Sequence, residues 1–583
     1  MAHSDYIIKR VFRKYLFFSI VAAMVLPLGM LVDGIVISNF LGKEAMAAVG
    51  LVSPLFLLLS AFSGIIASGS TSLCGQYIGK EQPENVKRIF SSAMFWTLML
   101  YLLSTFACLF FPNQLAYLLG ARDALIPLTS DYIRGLCVGI GFNVFHLALV
   151  EFTKLDGSPA LGPISIAVTT AVNIILDLIS IWLHWGLFGI ALATSISFLA
   201  GVLVCCIHFV RPVHTLKLVK IPNPVRDLIA LCSYGLPRAG NGICFAVTTA
   251  LMNYRLAFLG GSTALAALSI LSSVGLFISS TCLGVGATAQ LLSGIFYGEG
   301  DAKALEDSVK TSLREGVLIT SFVCLIYLIF TNPIIGLYGQ AGSDVAIMAV
   351  SAVRWKLIGF VIFTVIHVFV NYYQSTDNLK MATFVAVVEA LPAQAIYIWI
   401  LPMFMGVTGV WATPIFSGIT TFLVLTLAVC YQNRHFPRTL KDYLLLPSSF
   451  DNVEAMQLNI SIANNLEAVV GVSEKVYTFC KDQGIDARRT HHLSLCVEEM
   501  ARNVVQYAFS DQKEHFIDIR IVREGEQMTF RMRDDGSPFN PLKKLSEADV
   551  DPTQNIGIHL IRALSDSVDY RYTVGLNNLL IKL

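Results

Sequence analysis

The sequence predicts a polytopic all-α membrane protein, twelve transmembrane helices in two six-helix lobes, joined to a cytosolic α/β sandwich. Three observations carry this expectation. The 583 residues are 55% hydrophobic and only 14% charged, against roughly 25% charged in soluble chains, and the mean hydropathy is +0.66. Apolar runs of membrane-spanning length fill the chain from residue 14 to residue 431, and their pattern recurs with a period near 220 residues. Beyond residue 450 they give way to short alternating and helical patterns. Charge divides in the same place: 26 Lys/Arg against 20 Asp/Glu over 1–450, then 15 against 20 over 451–583. The formal charge of +1 therefore conceals a basic membrane part and an acidic tail. Neither part has a basic, aromatic-interleaved surface, which argues against a nucleic-acid partner.

The runs fall at 14–36, 47–73, 91–112, 130–152, 160–183, 187–210, 230–256, 265–295, 316–336, 350–372, 382–402 and 407–431. Each is about the length that spans a bilayer as a helix, and a helix is the only single-segment way to satisfy the backbone in lipid. The first run is too long for a removable signal and reads as a span. Basic residues such as Arg10, Lys80, Arg88, Lys154, Lys217, Lys303, Lys380 and Arg434 cluster before the first span or after even-numbered ones. Loops after odd-numbered spans hold little beyond Lys43 and Arg122. The positive-inside rule then puts both termini in the cytosol. Twelve cysteines lie singly, apart from Cys205–Cys206, with no metal-ligand spacing, and read as small buried hydrophobes.

The two halves repeat each other. Phe40-Leu41-Gly42 followed by Met46-Ala47-Ala48 recurs as Phe258-Leu259-Gly260 followed by Leu265-Ala266-Ala267. Tyr77-Ile78-Gly79-Lys80 matches Phe296-Tyr297-Gly298-Glu299, and His146 and Asp156 recur as His367 and Asp377. Six spans per repeat give parallel lobes, the architecture of alternating access by rocking bundles. No repeated filter-like stretch suggests a channel. The expected boundaries are an N-lobe over 1–215, a C-lobe over 216–440, a linker over 441–455 and a cytosolic domain over 456–583.

The Asp33-containing first span, the Gly75–Gly79 stretch, Asn173-x-x-x-Asp177 and Gly186-x-x-Gly189-x-Ala191-x-Ala193-Thr194, in order and duplicated, resemble the multidrug and toxic compound extrusion (MATE) family of bacterial exporters over about 10–435. A carboxylate among apolar residues is costly when charged, so reversible protonation of Asp33 can convert ion binding into conformational change. Asn173 and Asp177 share one helical face. The resemblance implies that Asp33, Asn173 and Asp177 bind the coupling ion, H+ or Na+. The C-lobe lacks the matching aspartate, with Leu251 opposite Asp33, and its mid-span carboxylate is Glu389, which can take a cation or neutralise a cationic compound. His146 and His367 read as packing histidines, and Glu151 as a cytosolic-mouth acid. Pro27, Pro54, Pro237 and Pro392 are expected kinks.

In the tail, residues 456–463 alternate as a strand, Asn465–Lys481 and Arg489–Phe509 read as helices, and Phe516–Arg523 with Gln527–Asp534 as a hairpin. A helix over Gly557–Val568, a strand over Asp569–Thr573 and a last strand near Asn578–Leu583 complete a mixed sheet with helices on one side. Glu499 and Asn503 sit one helical turn apart, Asp534 and Gly536 lie at a strand end beside a tight turn, and Gly557 opens a helix whose free N–H groups suit phosphate. This set, with HHLSLCVEEMARNVVQYAF and RDDGSPFNP, resembles the GHKL ATPase fold and most of all its anti-sigma serine-kinase branch. The resemblance implies ATP with Mg2+ on Asn503, general base or water orientation by Glu499, adenine recognition by Asp534 and phosphate contacts near Gly557. Tyr507 and Asn555 depart from that branch's pattern, and the lid between Asn540 and Asn555 is short.

Together these features point to an antiporter in the bacterial inner membrane. It would export organic, cationic compounds against H+ or Na+, with ATP sensed by the tail, since no G-x-x-x-x-G-K-[ST] loop is present. The competing readings are a membrane-anchored serine-kinase switch acting on a cytosolic phosphoacceptor or anti-sigma-antagonist-like protein, and a flippase for a lipid-linked substrate. A scarcity of intramembrane basic residues speaks against the flippase.

Overall fold

The computed structural model describes residues 5–119, 121, 125–137, 139–210, 216–336, 344–447, 450, 457–509, 514–524, 527–538, 540 and 565–583. The membrane part consists of α1 (Asp5–Phe40), α2 (Gly42–Gly79), α3 (Pro83–Phe110), α4 (Pro112–Leu118), α5 (Leu125–Cys137), α6 (Ile140–Leu155), α7 (Leu161–Trp182) and α8 (Gly186–Val210) in the first lobe. The second lobe holds α9 (Pro224–Gly298), α10 (Ala302–Gly336), α11 (Asp344–Ser375), α12 (Leu379–Ala390), α13 (Pro392–Ile400), α14 (Pro402–Met405) and α15 (Val407–Asn433). A short α16 (Leu440–Leu444), started by a Thr439/Asp442 capping box, follows. Among the described residues nine helices are long and apolar enough to cross a membrane, or ten spans with the bent pair α5–α6 taken as one. The other two expected spans fall on α1 and the first part of α9; the side chains of Asp33 on α1, Pro237 on α9 and Pro54 on α2 lie outside the described residues.

Two spans are not straight helices, the eleventh at the kink expected of Pro392. The fourth bends by 45° between α5 and α6. The eleventh breaks between Leu391 and Pro392, because proline lacks the N–H and clashes with the preceding turn. The long α9 passes through Gly261 at φ 58°, ψ −147°, a conformation that glycine alone takes readily, and so contains the seventh and eighth spans.

At the end nearest the tail domain, α2 and the second part of α9 cross very closely. A Cβ on Gly79 would fall 2.1 Å from the Ile295 carbonyl oxygen, and one on Gly298 2.1 Å from that of Gln76. These glycines are equivalent in the internal repeat. Buried amides lock the same crossing. Gln290 Nε2 donates to Ser72 Oγ at 2.8 Å and to Ser68 Oγ at 3.2 Å, Gln374 Nε2 to Ser68 Oγ at 2.9 Å, and Gln76 Nε2 to the Ser375 carbonyl at 3.0 Å. Arg13 of α1 adds a two-pronged ion pair to Glu315 of α10, at 3.2 and 2.8 Å. The two lobes are therefore sealed to each other at the tail-side end.

The tail comprises β1 (Gln457–Ala463), α17 (Leu466–Asp482), α18 (Ala487–Tyr507), β2 (Phe516–Glu524), β3 (Gln527–Asp534), β4 (Ser567–Thr573) and β5 (Leu576–Lys582). Asn465 caps α17 by accepting from Ala468 N at 2.8 Å, and Asp486 caps α18. The sheet order is β1-β2-β3-β5-β4, and every described pairing is antiparallel. This corrects the expected mixed sheet. The reason is local: β4 and β5 are joined by Val574-Gly575, both at positive φ, the turn chemistry of a tight hairpin. The helix expected over Gly557–Val568 lies outside the described residues except at its end, where Ser567 and Val568 belong to β4.

Strand alternation divides the sheet. Ile517, Ile519, Ile521, Phe530, Met532 and Ile581 pack on Val469, Val472, Val476, Leu493 and Val497 of the two helices. The opposite face carries Asp518, Arg520, Arg531, Arg533 and Arg571. Period-two alternation would ordinarily leave such a charged face to water. Here it sits on the membrane part. Asp301 Oδ2 pairs with Arg520 at 2.8 Å and Arg531 at 2.7 Å, while Glu299 pairs with Arg531 at 2.8 Å and with Arg533. Arg571 donates to the Glu81 carbonyl at 3.0 Å, and Val574 and Leu576 join the apolar core of the bundle. On α1, Tyr6 packs against Phe516 at 4.7 Å and Arg10 pairs with Asp535 at 2.6 Å.

Candidate functional site

Two regions hold the residues that chemistry singles out. In the membrane part, Asn173 and Asp177 of α7 are both buried. Asn173 Nδ2 donates to Asp177 Oδ2 at 3.4 Å and to Thr194 Oγ1 of α8 at 3.5 Å, and Thr194 in turn donates to the Ile190 carbonyl at 3.1 Å. The i,i+4 spacing on one helix produces the pair, and α8 supplies the hydroxyl. Asp33 lies on α1, which packs along α7, but its side chain is outside the described residues. Glu389 is buried in the last turn of α12 and accepts from Gln394 Nε2 at 3.5 Å across the Leu391–Pro392 break. It belongs to the other lobe, so the expected coupling residues form two separate features.

The histidines read as packing groups take that role. His146 Nε2 meets Ser165 Oγ at 2.8 Å in a buried setting, and His367 stacks on Phe363 at 5.1 Å. Glu151 pairs with Lys154 at 3.2 Å. Two basic residues of the second lobe sit against aromatic rings. Arg255 lies 4.7 Å over the Trp399 ring, and Lys356 lies 5.8 Å from Phe360, its Nζ 3.6 Å from where a Cβ on Gly275 would stand. A positive charge over an aromatic face is partly compensated by the ring quadrupole. Each interrupts an apolar run, which was the available signal.

In the tail, α18 carries Glu499 and Asn503 on one face, both half-buried. Arg502 reaches Glu498 at 2.8 Å and Glu499 at 3.2 Å, so the expected base is engaged by a guanidinium. Asp534 ends β3, and its Oδ1 accepts from Gly536 N at 2.9 Å and Asn577 Nδ2 at 2.7 Å. Burial pushes its carboxyl up to about 6, against those two hydrogen bonds and despite them. Tyr570 OH donates to Asn577 Oδ1 at 2.6 Å, fixing the amide's orientation. Sequence reasoning missed Asn577; its signal was an amide pair, Asn577-Asn578, inside an otherwise apolar strand. Gly536 has no alternative: a Cβ there would lie 2.6 Å from Ala508 Cβ and 2.7 Å from the Ala508 oxygen. Ser537 N donates to that oxygen at 2.7 Å, so Asp534 and Gly536 are fastened to the end of the helix bearing Glu499 and Asn503. Gly557 lies outside the described residues. Among the described residues no three ligating side chains cluster. The GHKL resemblance would put Mg2+ on the Asn503 amide oxygen together with phosphate oxygens, a donor set this ion takes readily.

Comparison with known proteins agrees with this division. The MatE family model matches residues 19–179 and 237–400, more than half of the chain, and the histidine kinase-like ATPase domain model matches 462–583. The multidrug export protein MepA of Staphylococcus aureus (strain MSSA476) is 24% identical over 411 residues, covering 69% of this chain and 89% of its own length. The probable multidrug resistance protein YoeA of Bacillus subtilis (strain 168) is 24% identical over 325 residues, 53% of this chain and 69% of YoeA. Among solved structures, the outward-facing conformation of a multidrug resistance MATE family transporter of the MOP superfamily superposes with a TM-score of 0.67 at 20% identity, over 72% of this chain and 94% of that one.

Proposed function

This chain belongs to the MATE family, with a histidine kinase-like ATPase domain at its C-terminal end, and we propose from that premise that it is a secondary antiporter of the bacterial inner membrane. It exports organic compounds, cationic ones foremost, in exchange for H+ or Na+. Both termini are cytosolic, and the tail senses ATP. The observation that carries the transport reading is the buried Asn173–Asp177 pair on the helix that packs along α1. An ionisable group held between helices of a bundle is costly unless it binds an ion or a proton. Occupancy of Asp33, Asn173 and Asp177 would neutralise that charge and favour one arrangement of the lobes, and release would favour the other. Glu389 gives the second lobe a carboxylate for a cationic compound or a second ion.

For the tail, Asp534 accepts from an adenine amino group, a role supported by the Asn577 amide that holds its carboxylate. Mg2+ on Asn503 would offset phosphate charge when bound. The Arg502–Glu499 ion pair supports sensing over turnover, because a carboxylate oxygen held by a guanidinium is not free to orient a water.

The test is transport in proteoliposomes loaded with a fluorescent organic cation, under an imposed pH or Na+ gradient, with and without Mg-ATP on the tail side. Gradient-driven flux that Asp33→Asn abolishes and Mg-ATP modulates is the expected result. Flux that ignores both gradients yet follows ATP would overturn the antiport reading, and flux indifferent to ATP despite measured nucleotide binding would overturn the sensing reading.

A further inference from the structure

The helix-free face of the tail sheet is already charged by its sequence, and its charge is badly arranged for a free surface. Arg520 and Arg531 stand directly opposite each other on β2 and β3, and like charges so placed destabilise a sheet. Asp301 Oδ2 resolves the conflict by pairing with both. The same residue caps α10, with Ala304 N donating to Oδ1 at 3.0 Å, so its position is fixed by the bundle rather than by the sheet. Glu299, two residues earlier, receives Arg531 and Arg533. All five groups are nearly enclosed, with side-chain exposures of 6–12%. Burial raises the Asp301 carboxyl, but the two guanidinium groups outweigh it and hold the group below the ordinary carboxylate range.

The contact on the first lobe is made by the repeat-related loop. Lys80-Glu81-Gln82 joins α2 to α3 as Glu299-Gly300-Asp301 joins α9 to α10, and Glu81 and Gly300 adopt the same left-handed turn at φ 60° and 64°. Arg571 donates to the Glu81 carbonyl. The Val574-Gly575 turn packs beside Gly157 and Lys14: a Cβ on Gly157 would stand 3.8 Å from Gly575 N, and one on Gly575 3.2 Å from Lys14 Nζ. One rigid sheet thus grips both halves of the duplicated bundle at symmetry-related places, directly beneath the Gly79–Gly298 crossing that seals them.

We propose that the ATPase-like domain is a clasp on the cytosolic gate: seated on Lys80–Gln82 of the first lobe and Glu299–Asp301 of the second, it holds the lobes together and must leave one of them before the transporter opens inward. The proposal rests on the alternating-access reading above. Rocking of the lobes separates the two loops, and a five-stranded sheet does not stretch to follow them. Asp535, next to the adenine-facing Asp534, is itself bound by Arg10 of α1, which sets the expected nucleotide site beside the seat.

The experiment uses the full chain in inside-out vesicles. Ser72, fully buried at the crossing, is replaced by Ser72→Cys, and the rate at which a charged, membrane-impermeant maleimide reaches that thiol is read by peptide mass, separately from the native cysteines. Arg531→Glu, which faces a carboxylate toward Glu299 and Asp301, is compared with the parent, and hydrogen exchange over residues 299–301 reports whether the domain has left its seat. Asp301→Asn serves as the milder variant should Arg531→Glu unfold the tail, since asparagine keeps the α10 cap. The expected result is faster exchange at 299–301 together with at least tenfold faster labelling. Faster exchange with unchanged labelling overturns the clasp, and so does unchanged exchange in both variants. Gradient-driven flux in the same vesicles is recorded independently. Its absence from the parent would count against the transport reading, while the labelling comparison would still decide the clasp.

Discussion

Asp301→Asn isolates one charge without disturbing the fold around it. Asparagine preserves shape, the cap on Ala304 N and a carbonyl acceptor, and removes only the negative charge that lies 2.8 Å from Arg520 and 2.7 Å from Arg531. Because these groups are 6–12% exposed, solvent screening is slight. A hydrogen bond to a charged group contributes about 1.5–3 kcal/mol, and breaking a buried pair by removing one partner costs about 3–5 kcal/mol. With Glu299 still in place for Arg531, about 3 kcal/mol is the reasonable centre of those ranges. If docking stabilises the tail by that amount, a domain of this size should melt about 10 °C lower, at a few degrees per kcal/mol. The assay is differential scanning calorimetry of the full chain in detergent, following the tail's transition. Combining Asp301→Asn with Arg520→Met completes a double-mutant cycle, in which the second change should cost far less than it does alone. A fall of under 2 °C, or strictly additive costs, would refute the view that Asp301 reconciles two opposed arginines.

Nucleotide binding should weaken below neutrality. Asp534 must be ionised to accept from adenine, and with its carboxyl at about 6 affinity should drop roughly tenfold between pH 7 and pH 5; isothermal titration with an adenine nucleotide reads this, with Asp535, His515 and Tyr572 as the neighbouring titratable groups. Docking should loosen as pH rises through about 7, where Asp518 on the seated face ionises against its burial. An exposed aspartate titrates near 4, so the docked state is favoured below the raised value and loses that advantage above it; Asp518→Asn should abolish the dependence in hydrogen exchange over 299–301. Gly536→Ala should destabilise the tail by about 1–3 kcal/mol because its Cβ meets Ala508, and chemical denaturation measures it. Asp177→Asn should leave the protein folded and cut gradient-driven flux at least tenfold; unaltered flux would make the Asn173–Asp177 pair a packing feature.

What the sequence determined by itself was everything that depends on local period and composition. The apolar runs fixed helices because lipid leaves the backbone no other partner. The 220-residue repeat implied paired lobes, and Asn173-x-x-x-Asp177 placed its two side chains together because four residues bring a helix back to the same face. The Asn465–Lys481 and Arg489–Phe509 helices and the Phe516–Asp534 hairpin announced the tail's elements by period and alternation, and Asp534-Asp535-Gly536 marked its chemical end. The tertiary structure alone decided what covers what. Strand alternation said that Arg520, Arg531 and Arg533 share a face but not that Glu299 and Asp301, some 220 residues earlier, neutralise it. Nothing local distinguishes a charged face exposed to water from one seated on carboxylates. The β1–β2 and β3–β5 pairings and the bond from Asn577 to Asp534 likewise arise between segments distant in sequence. Long-range pairing depends on which surfaces meet, and a chain read one residue after another does not contain that information.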